Sequence, residues 1–373
     1  MNTGGAEVML MDIFRNISKN TKFSFLVNYK KKQGIVKGDF DDEILQKGAT
    51  LKHIPTQWDI GPIKYIKEFK RIYNELGKPE VVHIHLNAKS GIIAYAAKQA
   101  GAKKIIVHSH ANIVYRGKPV KVKIYQLEMF FQKWLINKYA TDYWGASEEA
   151  NRSLFYKNKL KKSIVINNAI NTEKFQSVTK KQVEDFKNIL GINNDTLVLG
   201  NVGRIVKHKN IGFIIDVLYE FKKTHTDFVF LVAGRIDDKE YYNEIQTKIE
   251  QYNLQDKVLF LGNRSDIPLI MNTLDIFVSP ALQEGFGLVA IEAQAARTPC
   301  VLYKGFPKIV DMELGLISFL KTFEVNKWTN EIISLLKSNK KTINSTLIKQ
   351  RIIEKGFDVK NNSNIIEQKY HNF

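Results

Sequence analysis

Residues 279–301 read SPALQEGFGLVAIEAQAARTPCV, and how this stretch is read decides the fold. The run leading into it, Leu274-Asp275-Ile276-Phe277-Val278-Ser279, has the near-continuous apolar character of a strand buried on both faces of a parallel sheet. A loop then delivers Glu284, and the turn Gly285-Phe286-Gly287 opens a segment of Leu, Ala, Glu and Gln, all good helix formers. Glycines at a helix N-terminus leave backbone N–H groups open to a ligand, and the helix dipole favours a negative group there. Glu292 lies five residues beyond Gly287, a rise of about 7.5 Å along the helix. One carboxylate is thus expected near a ligand at the helix mouth and a second further along it. For Glu-Gly-Phe-Gly alone, a helix start with two solvated glutamates is the plain alternative. The neighbours of Glu292, among them Val289, Ala290, Ile291 and Ala293, weigh against that, because a carboxylate in such a segment needs a hydrogen-bonding partner.

Two Glu residues separated by seven positions, followed by the strand start Thr298-Pro299-Cys300-Val301, resemble the signature of glycosyltransferase family 4. These are retaining enzymes of the GT-B fold, and the chain is most similar to their capsular and exopolysaccharide branch. The resemblance implies an α/β protein of two Rossmann-like domains facing across a cleft. It also implies a UDP-sugar donor and a lipid-linked saccharide acceptor, with Glu284 orienting the donor sugar and Glu292 the ribose.

Length and composition agree with a two-domain protein. The chain has 373 residues, 44% hydrophobic and 25% charged, ordinary values for a globular protein too long for one small core. Its one cysteine, Cys300, excludes a disulfide framework and fits a reducing cytoplasm. No apolar run approaches the roughly 18 residues needed to span a bilayer, and no signal peptide is evident. The net charge of +18 is uneven: residues 1–167 carry +15 and the remainder +3. A basic first half suits an anionic membrane surface or a phosphorylated acceptor. No nucleic-acid-binding motif of the common kinds is present, so nucleic acid is not expected as a partner. Peripheral attachment to the inner face of the cell membrane is.

Along the chain, strand and helix patterns alternate, as in a parallel α/β sheet. The opening MNTGGAE reads as a glycine turn, with an amphipathic helix from Val8 to Ile17. The family carries a Gly-Gly-x-Glu loop after its first strand, so the resemblance implies that Gly4 and Gly5 approach the donor diphosphate or the acceptor. It also implies that the first strand of the N-terminal domain is missing here; either the real start lies upstream or the domain is compromised. Strands are expected at 23–27, 50–54, 81–85 and 104–108, helices at 63–76 and 90–100. The strand Lys104 to His108 runs into Ser109-His110-Ala111-Asn112, which places His108 and His110 at the carboxyl end of a parallel strand, where such sheets present ligand groups. A His after this strand contacts the donor sugar in the family; His108 is the first choice and His110 the second. A metal site is the other reading of two such histidines, but no third ligand is evident nearby in sequence. His83 and His85 share the strand-end position; His85 either lines the acceptor cleft or packs in the core or a loop.

From Arg116 to Tyr139, basic residues are interleaved with Val, Ile, Leu, Phe, Tyr and Trp. This segment is either an amphipathic helix resting on anionic lipid or a helix with a buried stripe and a solvated basic face. Strands at 141–146 and 163–167 follow. Asn167-Asn168-Ala169-Ile170-Asn171, with Phe175 beyond, resembles the family's crossing into its second domain, with Ala169 in place of the usual Gly. The expected domains are therefore 1–167 and 168–350, with a C-terminal helix in 351–373 packing back on the first.

In the second domain, Gly203-Arg204-Ile205-Val206-Lys207-His208-Lys209 follows an apolar strand. A glycine turn with Arg and Lys five apart is suited to a diphosphate, Arg by a forked contact and Lys as a point charge. The resemblance gives Arg204 and Lys209 the role of stabilising the leaving nucleoside diphosphate, together with the Gly203 turn and the amides of Gly285, Phe286 and Gly287. It places Arg235 near the base, and Arg264, in Gly-Asn-Arg-Ser-Asp-Ile-Pro, beside a uracil. A surface turn capped by Asp266 explains the latter segment equally well. No cofactor and no metal is expected, since cationic side chains and the helix dipole stand in for one and no Asp-x-Asp motif appears. Two rivals remain: a UDP-sugar 2-epimerase on the same architecture, and a non-catalytic sugar-nucleotide-binding subunit.

Overall fold

The computed structural model describes residues 5–18, 20–110, 119–338 and 343–372. It divides into two compact units, Met1–Ala169 with Val359–Phe373, and Ile170–Asp358. Residues 351–358 thus count with the second unit, and the last helix, Val359–His371, with the first.

The first unit holds two parallel sheets. Strands β1 (Ser24–Tyr29) and β2 (Thr50–Pro55) pair with each other; β3 (Val81–Ile84), β4 (Lys104–Ser109), β5 (Asp142–Gly145) and β6 (Ile164–Val165) pair in that order. Strand residues alternate between faces. On β4, Ile105 and Val107 join the core formed with the helices Pro62–Glu75, Ser90–Ala100 and Pro119–Tyr139. Ile106, between them, faces Met9, Ile13, Ile366 and Tyr370 of the first and last helices. By the same alternation His108 shares the face of Ile106, which brings it under the last helix. The helix Pro62–Glu75 shows why such segments form: Pro62 opens it, and Tyr65, Phe69, Ile72 and Tyr73 recur on one buried face. The first helix begins at Gly5, a turn earlier than Val8, so Gly5 is helical and not part of a glycine turn; Gly4 lies outside the described residues. Strands β5 and β6 are shorter than their apolar runs suggest.

The second unit is a six-stranded parallel sheet ordered β12-β11-β10-β7-β8-β9. Its strands are β7 (Leu197–Val202), β8 (Phe228–Ala233), β9 (Val258–Gly262), β10 (Ile276–Ser279), β11 (Cys300–Tyr303) and β12 (Ile317–Leu320). The chain builds outward from β7 through β8 to β9, returns to the other side of β7 at β10, and continues to β12. This is the doubly wound order, with its switch point between β7 and β10. Both faces of the sheet are covered: Phe230, Val232, Val278 and Val301 join one core, Leu231, Phe277 and Cys300 the other. The apolar runs in the sequence follow from that double burial. Trp328, on the helix Val325–Lys337, is fully buried against the first of these cores and donates its indole N–H to the Thr322 carbonyl at 2.8 Å. Trp328→Ala is expected to cost about 3–5 kcal/mol of stability, to be read from urea unfolding of the purified protein.

Candidate functional site

At the switch point, the loops after β7 and β10 leave from neighbouring strands at the same end of the sheet. The Asn201 amide fastens these strands by donating to the Val278 carbonyl at 2.8 Å. The loop after β7 runs through Gly203 and Arg204 into a short 3-10 turn, Lys207–Lys209. The loop after β10 joins it where the Leu282 N–H donates to the His208 carbonyl at 2.8 Å, and it is held from the other side by the Glu284 N–H on the Gly305 carbonyl at 3.1 Å. Across this seam the Lys209 ammonium bonds the Glu284 carboxylate, with the two side chains 14% and 12% exposed. Two glycines make the close approach possible. A Cβ on Gly234 would sit 1.9 Å from the Gly203 carbonyl oxygen, so any side chain there would push the loops after β7 and β8 apart. Gly287 caps the next helix, Leu288–Ala295, in the left-handed region at φ 70°, and a Cβ on it would meet the Phe306 ring at 2.9 Å. That helix start carries no side-chain cap; the Ala290 N–H turns back onto the Gly287 carbonyl at 2.9 Å, and the N–H groups ahead of it are suited to solvent or an anion.

The structure therefore brings together Gly203, Lys209, Glu284, Gly285, Phe286 and Gly287. Arg204 stands beside them in the chain, 57% exposed, with its guanidinium 3.2 Å from the Asp237 carboxylate. Arg235 bonds the other oxygen of the same carboxylate. Asp237, held below the usual carboxylate range by the Arg235 hydrogen bond and then by Arg204, is a candidate site residue that sequence reasoning passed over. The signal was present, since Asp237 follows Gly234-Arg235 by two positions. Arg264 sits apart at the end of β9, with its guanidinium on Asp266 at 2.8 Å and over the Phe186 ring. That bond uses the carboxylate that would otherwise cap the helix Ile267–Thr273, whose N-terminus has no side-chain cap. Glu292 is half-buried within Leu288–Ala295 and takes part in polar contacts there.

In the first unit, the ends of β3 and β4 gather four histidines. His83 Nε2 and His108 Nδ1 are 3.2 Å apart, and His85 Nδ1 and His110 Nε2 are 2.8 Å apart. His83 Nδ1 in turn meets the Tyr370 hydroxyl of the last helix at 2.7 Å. The rings lie nearly parallel, at 4° for His83 and His108 and 23° for His108 and His110. His108 is fully buried, and Trp144 closes the cluster edge-on at 4.8 Å from His83. Burial lowers the pKa of all four, to about 3 for His83 and about 4 for His110, with mutual repulsion adding to the effect on His83, His85 and His108. The imidazoles are therefore neutral at physiological pH, each with one donor and one acceptor nitrogen. No local pattern marks Tyr370 as a member, because it reaches the cluster from 287 residues away.

The family described as "Glycosyl transferases group 1" matches residues 182–350, which include both loops and the helix Leu288–Ala295. "Putative glycosyltransferase EpsF" of Bacillus subtilis (strain 168) is 31% identical over 383 residues, covering 100% of this chain and 96% of that protein. The Escherichia coli UDP-Gal:alpha-D-GlcNAc-diphosphoundecaprenol alpha-1,3-galactosyltransferase is 31% identical over 253 residues, 65% of this chain and 63% of that one. The Staphylococcus aureus capsular polysaccharide biosynthesis glycosyltransferase CapM is 24% identical over 330 residues, 80% of this chain and 84% of that one. Among solved structures, Anabaena Alr3699/HepE in complex with UDP superposes with a TM-score of 0.78 at 19% identity, over 99% of this chain and 97% of that one. With a doubly wound second unit, a cationic loop and an uncapped helix start at its switch point, and a full-length relative of this kind, the chain belongs to the group 1 glycosyl transferases and has their GT-B fold.

Proposed function

We propose that the protein transfers a hexose from a UDP-sugar to a lipid-linked saccharide during capsular or exopolysaccharide synthesis, with retention of anomeric configuration. The observation that carries this reading is the Lys209–Glu284 pair beside the uncapped start of Leu288–Ala295. The names of the relatives support the rest: UDP in the Anabaena structure, and a UDP-sugar with a diphosphoundecaprenol-linked acceptor for the Escherichia coli enzyme.

In this mechanism the departing UDP places its diphosphate at the helix start. Lys209 turns from Glu284 toward it, and Arg204 exchanges Asp237 for it. Once so placed on binding, these groups stabilise the negative charge that develops in the transition state without further reorganisation. Glu284, released from Lys209, accepts from a sugar hydroxyl, and Glu292 from the ribose. Arg235 and Arg264 serve the base end. The cationic side chains and helix dipole stand in for a metal ion on the diphosphate. With Glu284 in that orienting role, front-face attack guided by the leaving phosphate is favoured over a covalent intermediate on it.

The acceptor's lipid anchor calls for a membrane-facing surface, and the helix Pro119–Tyr139 supplies one. It buries Met129, Leu135 and Ile136 in the core yet exposes Leu127 (72%), Phe130 (67%) and Phe131 (52%). Lys138 lies over the Trp134 ring at 4.7 Å on that side. Aromatic side chains flanked by lysines suit the headgroup level of an anionic bilayer. No helix among the described residues is long and apolar enough to cross a membrane, so this contact would be peripheral.

Purified protein incubated with radiolabelled UDP-sugars and bacterial membrane lipid should move label into the lipid fraction, with the donor's anomeric configuration kept. A converted sugar nucleotide would instead support the epimerase, and binding without turnover the subunit. Lys209→Met should lower kcat by about 10²–10³-fold, the usual effect of losing one preorganised charge contact. Glu292→Ala should weaken UDP binding by at least tenfold in calorimetry; unchanged affinity contradicts the ribose role. Replacing Phe130 and Phe131 by Ser should release the protein from phosphatidylglycerol vesicles in co-sedimentation while leaving its UDP affinity unaltered.

A further inference from the structure

The histidine cluster of the first unit has a geometry that contact with a sugar does not require. We propose that His83, His85 and His108 form a binding site for a borderline divalent transition cation of the zinc type. His83 and His85 are two apart at the end of β3, so their side chains share one face, and the adjacent parallel strand β4 presents His108 to the same space. One ring nitrogen from each of the three lies within 4.8 Å of the others. His83 Nε2 and His108 Nδ1 are already 3.2 Å apart. Zinc–nitrogen bonds of 2.0–2.1 Å set the edge of a tetrahedron at about 3.3 Å. That spacing is held as a hydrogen bond, so a shared cation needs the His83 and His108 rings to turn these nitrogens toward it and His85 to rotate in beside them.

The outer shell is in place for His83 and His85. A ligating imidazole normally has its other nitrogen held by a hydrogen bond, which fixes tautomer and ring orientation. Tyr370 occupies the far nitrogen of His83, and His110 the far nitrogen of His85. That leaves His85 Nε2 without a hydrogen-bond partner among the described residues, buried and beside the proposed site. A buried polar atom of this kind is costly unless something satisfies it. The proton balance is simple. The hydrogen between His83 and His108 leaves the ligating nitrogens as each ring takes the tautomer protonated at its far nitrogen, with the Tyr370 oxygen accepting on the His83 side. No net proton is released. Three imidazoles leave a fourth coordination position for a water ligand, as in other zinc sites of this kind. Neutral imidazole ligands without carboxylates or thiolates favour zinc, cobalt, nickel or copper over magnesium or calcium.

The test uses the full-length protein without a polyhistidine tag, dialysed against EDTA and titrated with Co²⁺ and with Zn²⁺. Co²⁺ should bind at one equivalent, with the intense visible absorption of a tetrahedral site, and Zn²⁺ should displace it. His85→Gln and His108→Gln should each weaken Zn²⁺ binding at least 100-fold, whereas His225→Gln, in the second unit, should bind as the parent does. Tyr370→Phe should cost about 10–100-fold, as outer-shell losses do. Far-UV circular dichroism checks that each variant is folded. X-ray absorption on the unmutated protein counts the ligands directly, so the test survives a variant that does not fold. Fewer than three imidazoles, or no saturable binding below about 100 µM metal, overturns the proposal. None of these measurements uses a sugar nucleotide, so they fail or succeed independently of the transferase reading.

Discussion

The ion pair between Lys209 and Glu284 is the interaction on which the second unit's site depends. Each side chain is seven-eighths buried, so each charge has given up most of its water and relies on the other. Their loops start from β7 and β10, strands far apart in sequence but adjacent in the sheet. Backbone hydrogen bonds from Leu282 to His208 and from Glu284 to Gly305 hold the same seam, so the charges meet on a frame that is already set. A bare helix start beside such a pair is suited to an anion: the incoming charge can take over Lys209, and the carboxylate released can accept from the ligand's hydroxyls.

Asp237 plays the corresponding part for the arginines. It engages both Arg204 and Arg235 while their guanidiniums remain more than half exposed. Exposed pairs of this kind contribute little to stability, so exchanging them for an anion would cost little. The site thus joins a buried pair, which keeps its shape until an incoming charge replaces one partner, with exposed arginines that exchange partners at little cost.

The first unit follows a different logic. Its four histidines are neutral, stacked and fixed through Tyr370 by the last helix, which returns to this unit after the chain has completed the second. An arrangement of that kind defines tautomers, and so decides which nitrogen faces which neighbour. The helix Pro119–Tyr139 of the same unit divides its apolar residues between the core and the outside. For that reason its sequence fits both a core helix and a surface one.

Much of this was legible in the residue order. Continuous apolar runs identified strands buried on both faces, and their alternation with helix-period segments required a parallel sheet. The spacing of Glu284, Gly287 and Glu292 placed a loop and a helix start in advance, because strand ends and helix starts are local events. Three features lay beyond that reach. Asp237 became the partner of Arg204 only when β8 settled beside β7. The absence of a third ligand near His108 in sequence gave way to two, since His83 and His85 arrive on a neighbouring strand. Tyr370 joined them through the packing of the last helix. Periodicity along the chain reports which residues are buried, whereas pairing between distant segments follows from sheet order and helix packing, and these the tertiary structure alone decides.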